Sequence, residues 1–457
     1  MKKRDIISMC CPMKIIIVLV MLFFSAAWTF AATYYVSVNG DDKNPGSKDK
    51  PWRTIQKASN SIAAGDVVIV GSGNYDERVE LPAGLSGTSN ARIVFRAYPR
   101  RTVEMKGFVA NRNNYIRIEG FNITNHNPGS WLGGGIWLDG HHWEIVDNYF
   151  HDIAGSAIQP TWQEGHSIDY AYVANNYIYK CNKGFIIAGN GWLVENNNVE
   201  RLVYYNEDAD YCRFFGTNHI IRRNFFHGTS YSEIGDSHVD GFQTFSNNGG
   251  IAQNIIIEEN IVEGPVHEIM MLEGTNISHF NIIVRNNIFT NSSSWGICDD
   301  GGVKDLLIYN NLFAYISSSA IGIRKSRVDS SPSNAIIKNN IFYNVKSSYW
   351  HDEKSSIVAS NNLHFSTEDK IDSSRYPGDL VNVDPLFNNP APTGGDFHVG
   401  KNSPLVDAGE AIDDFNSSLN EVTRPQVKTW DIGPYEYMAT GNSSAPPSPK
   451  NLKIIGQ

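Results

Sequence analysis

A short run of alternating apolar and polar residues, ending in Asn and then an apolar or aromatic residue, recurs along most of this chain. It reads YIRIEGFNI to Ile123, WEIVDNYF to Phe150, AYVANNYI to Ile178, WLVENNNV to Val199 and HIIRRNFF to Phe226. NIIIEENIV follows to Val262, NIIVRNNIF to Phe289, DLLIYNNLF to Phe313 and NAIIKNNIF to Phe342, and a weaker copy, IVASNNL, ends at Leu363. A period of two residues predicts strands. The anchoring asparagines are Asn122, Asn148, Asn176, Asn198, Asn224, Asn260, Asn287, Asn311, Asn340 and Asn362, at intervals of 26, 28, 22, 26, 36, 27, 24, 29 and 22 residues. That is the length of a coil made of three short strands and their turns. The predicted fold is all-β, a single right-handed parallel β-helix of about ten coils. Asn side chains stacked along the axis would bond to one another and to turn backbone, which explains an Asn ladder without any catalysis.

The pattern also sets boundaries. Residues 1–32 have a basic start (Lys2, Lys3, Arg4), an apolar run from Ile15 to Phe24 and small residues at Ala31 and Ala32, which predicts a removable export signal and a secreted or cell-surface protein. No later stretch is long and apolar enough to span a membrane. Residues 33–80 are expected to form an N-terminal cap, with an amphipathic helix over Thr54–Ala63 covering the first rung. Residues 81–378 form the coils, 379–437 a C-terminal capping module, and 438–457 a linker or tail rich in Ser, Pro and Asn. A leucine-rich solenoid fits badly, because β-branched and aromatic residues dominate and the Leu spacing is missing.

A solenoid converts sequence into columns. In the strand preceding the Asn run, Ile136, Ile158, Phe185, Cys212, Phe242, Ile269, Ile297 and Ile321 are expected to point inward. Trp137, Gln159, Ile186, Arg213, Gln243, Met270, Cys298 and Gly322 are expected to face outward. Titratable groups gather just before this strand, at Asp210, Asp240, His267 and Glu268. The densest stretch is GDSHVDGFQ, with Asp236, His238 and Asp240. Rungs lie about 4.8 Å apart, so carboxyls on adjacent rungs are expected about 5 Å apart and on alternate rungs about 10 Å. Those separations bracket the needs of retaining and inverting glycoside cleavage. Charges so close repel, split their titrations or hold a divalent cation.

This cluster supplies the candidate catalytic residues. Asp240 is the principal acid, base or metal ligand, His238 and Glu268 are proton-transfer partners, and Asp210 and Arg213 complete the set, with Arg213 orienting substrate. Trp137, Trp162, Gln243, His267, Asp300 and Arg324 are candidates for binding a sugar chain, because rings stack on aromatic faces and hydroxyls need polar rims. Asp236 is the candidate metal ligand. Plainer readings stand beside these. Asp240 before Gly241 also suits a turn, Asp210 with Arg213 an ion pair, Asp299-Asp300-Gly301 a turn as well as a Ca²⁺ site, and Arg324-Lys325 a solvated surface.

Net charge narrows the partners. The chain carries −10 overall and about −13 without residues 1–32, which disfavours nucleic acid. Cys181, Cys212 and Cys298, the cysteines after the signal, are too few and too scattered for a disulfide framework and read as buried apolar residues.

The stretches YYVSVNGDDKNPGS, PWRTIQKA and AAGDVVIVGSGNYDE resemble the start of many extracellular β-helix proteins. VDPLFNN, GGDFHVGKNSPLVDAG and RPQVKTWDIGPYEY, within Val383–Tyr437, resemble a module that closes such bacterial proteins. By architecture the chain resembles the pectate-lyase-like superfamily, which includes pectate, alginate and chondroitin lyases and polygalacturonases. HVDGF at His238–Phe242 is similar to the Asn-Thr-Asp-Gly segment of polygalacturonases, Asp299-Asp300 to their paired aspartates and Arg324-Lys325 to their Arg-x-Lys element. The pair lies two coils on instead of one, and the Gly-His-Gly segment is missing, so that activity does not transfer. The resemblance implies a secreted enzyme, hydrolase or lyase, acting on an extracellular polysaccharide. It is expected to be a monomer needing no cofactor, with Ca²⁺ the ion its acids would hold. A non-catalytic glycan-binding or surface protein, or a purely structural solenoid, is the alternative.

Overall fold

The computed structural model describes residues 31–125, 133–161, 168–205, 208–235, 237–246, 250–274, 279–326, 332–413 and 415–438. The expected signal and most of the tail lie outside these, as do Trp162 and Asp236. The described chain is a right-handed parallel β-helix of about nine turns. Three parallel faces run its length. The first stacks strands such as Glu144–Val146, Tyr172–Ala174, Leu193–Glu195 and Ile220–Arg222. The second stacks Tyr149–His151, Tyr177–Tyr179, Asn198–Glu200 and Phe225–His227. The third stacks Lys183–Ile187, Cys212–Phe214, Phe242–Phe245, Met270–Glu273 and Ile297–Asp299.

Each face points one apolar row into a continuous core. Ile145, Val173, Val194 and Ile221 come from the first, Phe150, Ile178, Val199 and Phe226 from the second, and Phe185, Cys212, Phe242 and Met270 from the third, all fully buried. Burying one such Phe removes on the order of 200 Å² from water, worth several kcal/mol at about 25 cal/mol per Å². Cys181, Cys212 and Cys298 are buried and unpaired, as the composition predicts.

The Asn ladder sits at the turn between the first and second faces. It runs through Asn148, Asn176, Asn197, Asn224, Asn260, Asn287, Asn311, Asn340 and Asn362, all buried with no exposure. Each Oδ1 accepts the backbone N–H of the ladder residue one rung before; Asn260 Oδ1 does so for Asn224 at 3.0 Å. Each Nδ2 donates to the next Oδ1 and to a carbonyl, as Asn260 does to Asn287 Oδ1 at 3.1 Å and Ile221 O at 2.8 Å. The residue before each ladder Asn is left-handed, for example Asn196 at φ 55° and Asn310 at φ 54°. Two expected members are therefore replaced. Asn197 takes the place assigned to Asn198, and Phe121, whose N–H bonds Asn148 Oδ1, takes that of Asn122. In the last coil His364 occupies the inward row instead of Leu363. Asp379 ends the ladder by accepting from Asn362 N at 2.8 Å.

The expected Thr54–Ala63 helix shrinks to one short piece, Ile55–Ser59. Thr54 Oγ1 caps it by accepting from Lys57 N at 3.1 Å, and Ile55 and Ala58 enter the core. The segment read as a C-terminal cap lies along the flank of the later coils. Phe397, Leu405 and Ile432 pack on Ile288, Leu312 and Ile341. The left-handed asparagines donate to it: Asn286 to Ser417 O, Asn310 to Asp431 O and Asn339 to Glu410 O. The doubled Asn of these repeats thus has two tasks, one along the ladder and one toward the flank. Among the described residues no helix is long and apolar enough to cross a membrane.

Candidate functional site

The third face carries the site, and its register corrects one column. Phe242 pairs with Met270, not Ile269, and Met270 pairs with Ile297. Met271 therefore faces outward, while Met270 and Leu272 are buried. The shift by one residue moves Glu268 into the same rung position as Asp240 and Asp210, each two residues before the first inward side chain. Backbone bonds confirm the stack: Gly184 N donates to Asp210 O, Tyr211 N to Asp240 O and Gly241 N to Glu268 O. Lys183, itself buried, begins the column that Asp210, Asp240 and Glu268 continue.

The acids are built into the wall. Asp210 Oδ1 accepts from Asp240 N at 3.1 Å, and Asp240 Oδ1 accepts from Glu268 N at 3.1 Å. Asp210 Oδ2 accepts from Arg213 Nε at 2.5 Å, and the Arg213 guanidinium lies 5.7 Å from the Phe245 ring centre. Burial pushes the Asp210 carboxyl up, against the pull of Arg213 and Lys183. Asp240 goes up further: burial acts first, and the charges of Asp210 and Glu268 add to it. Its Oδ2 is enclosed without a fixed hydrogen-bond donor. Two carboxyls in contact bond only if one keeps a proton, so a protonated Asp240 would donate to Glu268.

The column opens outward at its last member. Asp240 is fully buried, the Glu268 side chain is 8% exposed and the His267 side chain 40%. His267 Nδ1 is hydrogen-bonded to Glu268 Oε2, and Ser294 Oγ donates to Glu268 Oε1 at 3.4 Å. The exposed His238 ring lies 4.3 Å from that of His267, tilted by 40°. A donor atom each from His238, His267 and Glu268 lie within 4.8 Å of one another. Two imidazoles and one carboxylate suit a transition-metal ion, whereas Ca²⁺ takes oxygen ligands. The expected Ca²⁺ therefore does not fit this trio.

The fold brings Asp210, Arg213, His238, Asp240, Gln243, His267 and Glu268 together on neighbouring rungs. Gln243 stands beside Arg213 in the outward column, nearly buried. Asp300 and Arg324 form an ion pair at 2.7 Å further along the face. Trp137 sits three rungs before Arg213 in the same column, with the Arg78 guanidinium 5.0 Å from its ring centre. Asp299 makes a turn: its buried carboxylate accepts from Gly302 N at 2.9 Å and Val303 N at 3.1 Å. Sequence reasoning passed over Lys183, one coil below the acids, and Trp350, which shares the outward column with Gly322 but lies a coil beyond the last one aligned.

Residues 34–183 match the family model described as Pel9A-like, right handed beta helix region. That match ends at Lys183, before the acidic column. An uncharacterised Bacillus subtilis protein, YwoF, is 29% identical over 210 residues, which cover 38% of this chain and 44% of that one. Pectate lyase PEL9 of Emericella nidulans is 32% identical over 90 residues, 18% of this chain and 22% of the enzyme. Both alignments thus span less than half of the relative. Among solved structures, pectate lyase Pel9A superposes with a TM-score of 0.58 at 16% identity, covering 89% of this chain and 96% of that one. XylC in complex with xylose gives 0.61 at 13%, covering 88% and 98%. At such identities the likeness is one of fold.

Proposed function

We propose that this protein is a secreted enzyme that cleaves a uronate-containing extracellular polysaccharide by β-elimination, with the His267–Glu268 pair as its base. The observation that carries this reading is the graded line from enclosed Asp240 through Glu268 to half-exposed His267. Glu268 holds Nδ1 of the ring and so turns Nε2 outward. Nε2 takes the proton alpha to the uronate carboxylate. The C–H electron pair forms the new double bond, the glycosidic C–O bond breaks, and the leaving oxygen takes a proton from His238. Arg213 puts positive charge on the same face, toward the charge that develops on the carboxylate. Asp240 acts through Glu268 as a positioning residue. A double displacement suits the site less well, because it needs two carboxyls at the sugar and Asp240 is enclosed. Pectate lyases among the similar proteins support the reaction class.

The test is a product screen over acidic and neutral polysaccharides, with Ca²⁺ and with a chelator. New ultraviolet absorbance from an unsaturated sugar is expected, and His267→Ala should lower the rate about 10²–10⁴-fold while the fold stays intact by circular dichroism. Reducing ends without that absorbance would establish a hydrolase instead. Full activity in the His267→Ala variant would remove the assigned base.

A further inference from the structure

The third face carries a second cluster further along its axis. Met271, Cys298, Gly322 and Trp350 continue the outward column past Arg213 and Gln243. Gly322 matters by what it lacks: a Cβ there would stand 2.3 Å from the Trp295 ring. The Trp295 indole thus lies against the sheet over Gly322. Trp350, 40% exposed, meets it edge-on, with ring centres 5.9 Å apart and planes at 75°. The Arg324 guanidinium lies 5.8 Å from the Trp295 ring centre and 5.5 Å from that of Trp350. Its Nη1 donates to Asp300 Oδ1 at 2.7 Å, which fixes its position, and its side chain is 39% exposed. Past Trp350 opens a cleft of about 320 Å³ whose walls include His351, Lys370 and Arg375 as well as Asp369 and Asp372.

We infer that Trp295, Trp350 and Arg324 form a subsite for one uronate unit of the polysaccharide, a binding platform separate from the bonds that break. The inference rests on the carbohydrate reading above and deepens it. Indole faces take the apolar side of a sugar ring. A planar guanidinium pairs with a carboxylate through two parallel bonds. The protein carries −10 overall, so an anionic polymer needs a local cation to settle on it. The rung of Gly322 lies two rungs from that of Glu268, about 10 Å along the axis, so one extended sugar chain would meet both places. Asp300, named from sequence as a sugar contact, becomes the residue that positions Arg324.

The experiment is calorimetric titration, with tryptophan fluorescence alongside, of the full chain carrying His267→Ala, so that ligand survives. The probes are a galacturonate hexamer, a sulfated galactose hexamer and a xylose hexamer. The galacturonate hexamer should bind tightest. Arg324→Ala should weaken it about tenfold and leave xylose unchanged, whereas Trp350→Ala should weaken both about tenfold and Trp350→Phe much less. Titrations untouched by Arg324→Ala and Trp350→Ala would overturn the subsite and leave the cleavage reading standing. Equal losses for both sugars in Arg324→Ala, or a preference for the sulfated hexamer, would overturn the uronate assignment. Binding of no oligosaccharide by the parent chain would overturn both.

Discussion

Two stacks of polar side chains run along this β-helix, and they end differently. The Asn ladder runs unbroken from Asn148 to Asn362, whereas the acidic column stops after Asp210, Asp240 and Glu268. Both use the same device, a side-chain oxygen accepting a backbone N–H from the neighbouring rung. The difference lies in the other half of the side chain. An amide also donates, so each added Asn satisfies the last and adds no charge. A carboxylate only accepts, so each added acid brings a buried charge of the same sign. The column limits that cost with Lys183 and Arg213 at its start and a solvent edge at Glu268, and in its middle burial and the neighbouring acids push the Asp240 carboxyl up. A repeated neutral stack is explained by stability alone. A charged stack opposed by burial and repulsion calls for another reason, and here it ends at two imidazoles open to solvent.

The sharpest way to break the comparison is to turn the ladder into the column. Asn260→Asp removes the donor to Asn287 Oδ1 and Ile221 O and places a buried carboxylate between the neutral amides of Asn224 and Asn287. Urea unfolding should show a loss of about 3–5 kcal/mol at neutral pH. At pH 4 the acid regains a proton and can donate, so the loss should shrink. An equal loss at both pH values would mean that charge is not what separates the two stacks.

How much of this was readable in advance follows the same physics. Every coil repeats one environment, so the Asn and aromatic rows repeat in sequence and give the fold. Errors fall where a row is locally ambiguous. NNN at 196–198 offers three asparagines, and only the left-handed turn at Asn196 decides that Asn197 enters the ladder. EGFNI hides the same rule, with Gly120 left-handed at φ 77° and Phe121 in the ladder position. On the third face, Ile269 to Leu272 are four apolar residues in a row, so alternation cannot set the register. A slip of one residue exchanges inside for outside. That slip gave His267 the place in the column that Glu268 takes, although the sequence names both just before the strand. Arg213 and Asp240 stand out in the sequence because charged types are costly beside an apolar row, and the exposed His238 stands out by its polar turn. Trp350 was missed because it falls past the last coil aligned.

The next test acts on the column itself. Burial first, and then the charges of Asp210 and Glu268, push the Asp240 carboxyl above its ordinary range, so the folded chain should hold this proton to higher pH than the unfolded chain does. The native state then binds more protons, so stability contributed by this group is full below about pH 4, the ordinary carboxylate range, and declines as pH rises toward its raised value. Asp240→Asn keeps an acceptor for Glu268 N and offers a permanent donor. It should flatten that decline and gain about 1–2 kcal/mol at pH 7, read from unfolding midpoints at several pH values. A variant less stable than the parent at pH 7 would show that Asp240 is ionised and held by partners.

A third stack offers the gentlest test. On the outer side of the first face Glu195, Arg222, Glu258 and Arg285 follow one another on successive rungs. Their signs alternate, so each charge is answered by its neighbour: Arg222 reaches Glu195 at 2.7 Å and Arg285 reaches Glu258 at 2.7 Å. The Arg222 side chain is 30% exposed while its partners Glu195 and Glu258 are 11% and 9% exposed, so water and salt screen the pairs in part. Arg222→Ala should therefore lower stability by only about 0.2–1 kcal/mol, less still at high salt. The measurement is the unfolding midpoint in dilute and in concentrated salt. A loss as large as that from Asn260→Asp would mean that surface charge rows, and not the buried amides, carry the stacking of this solenoid.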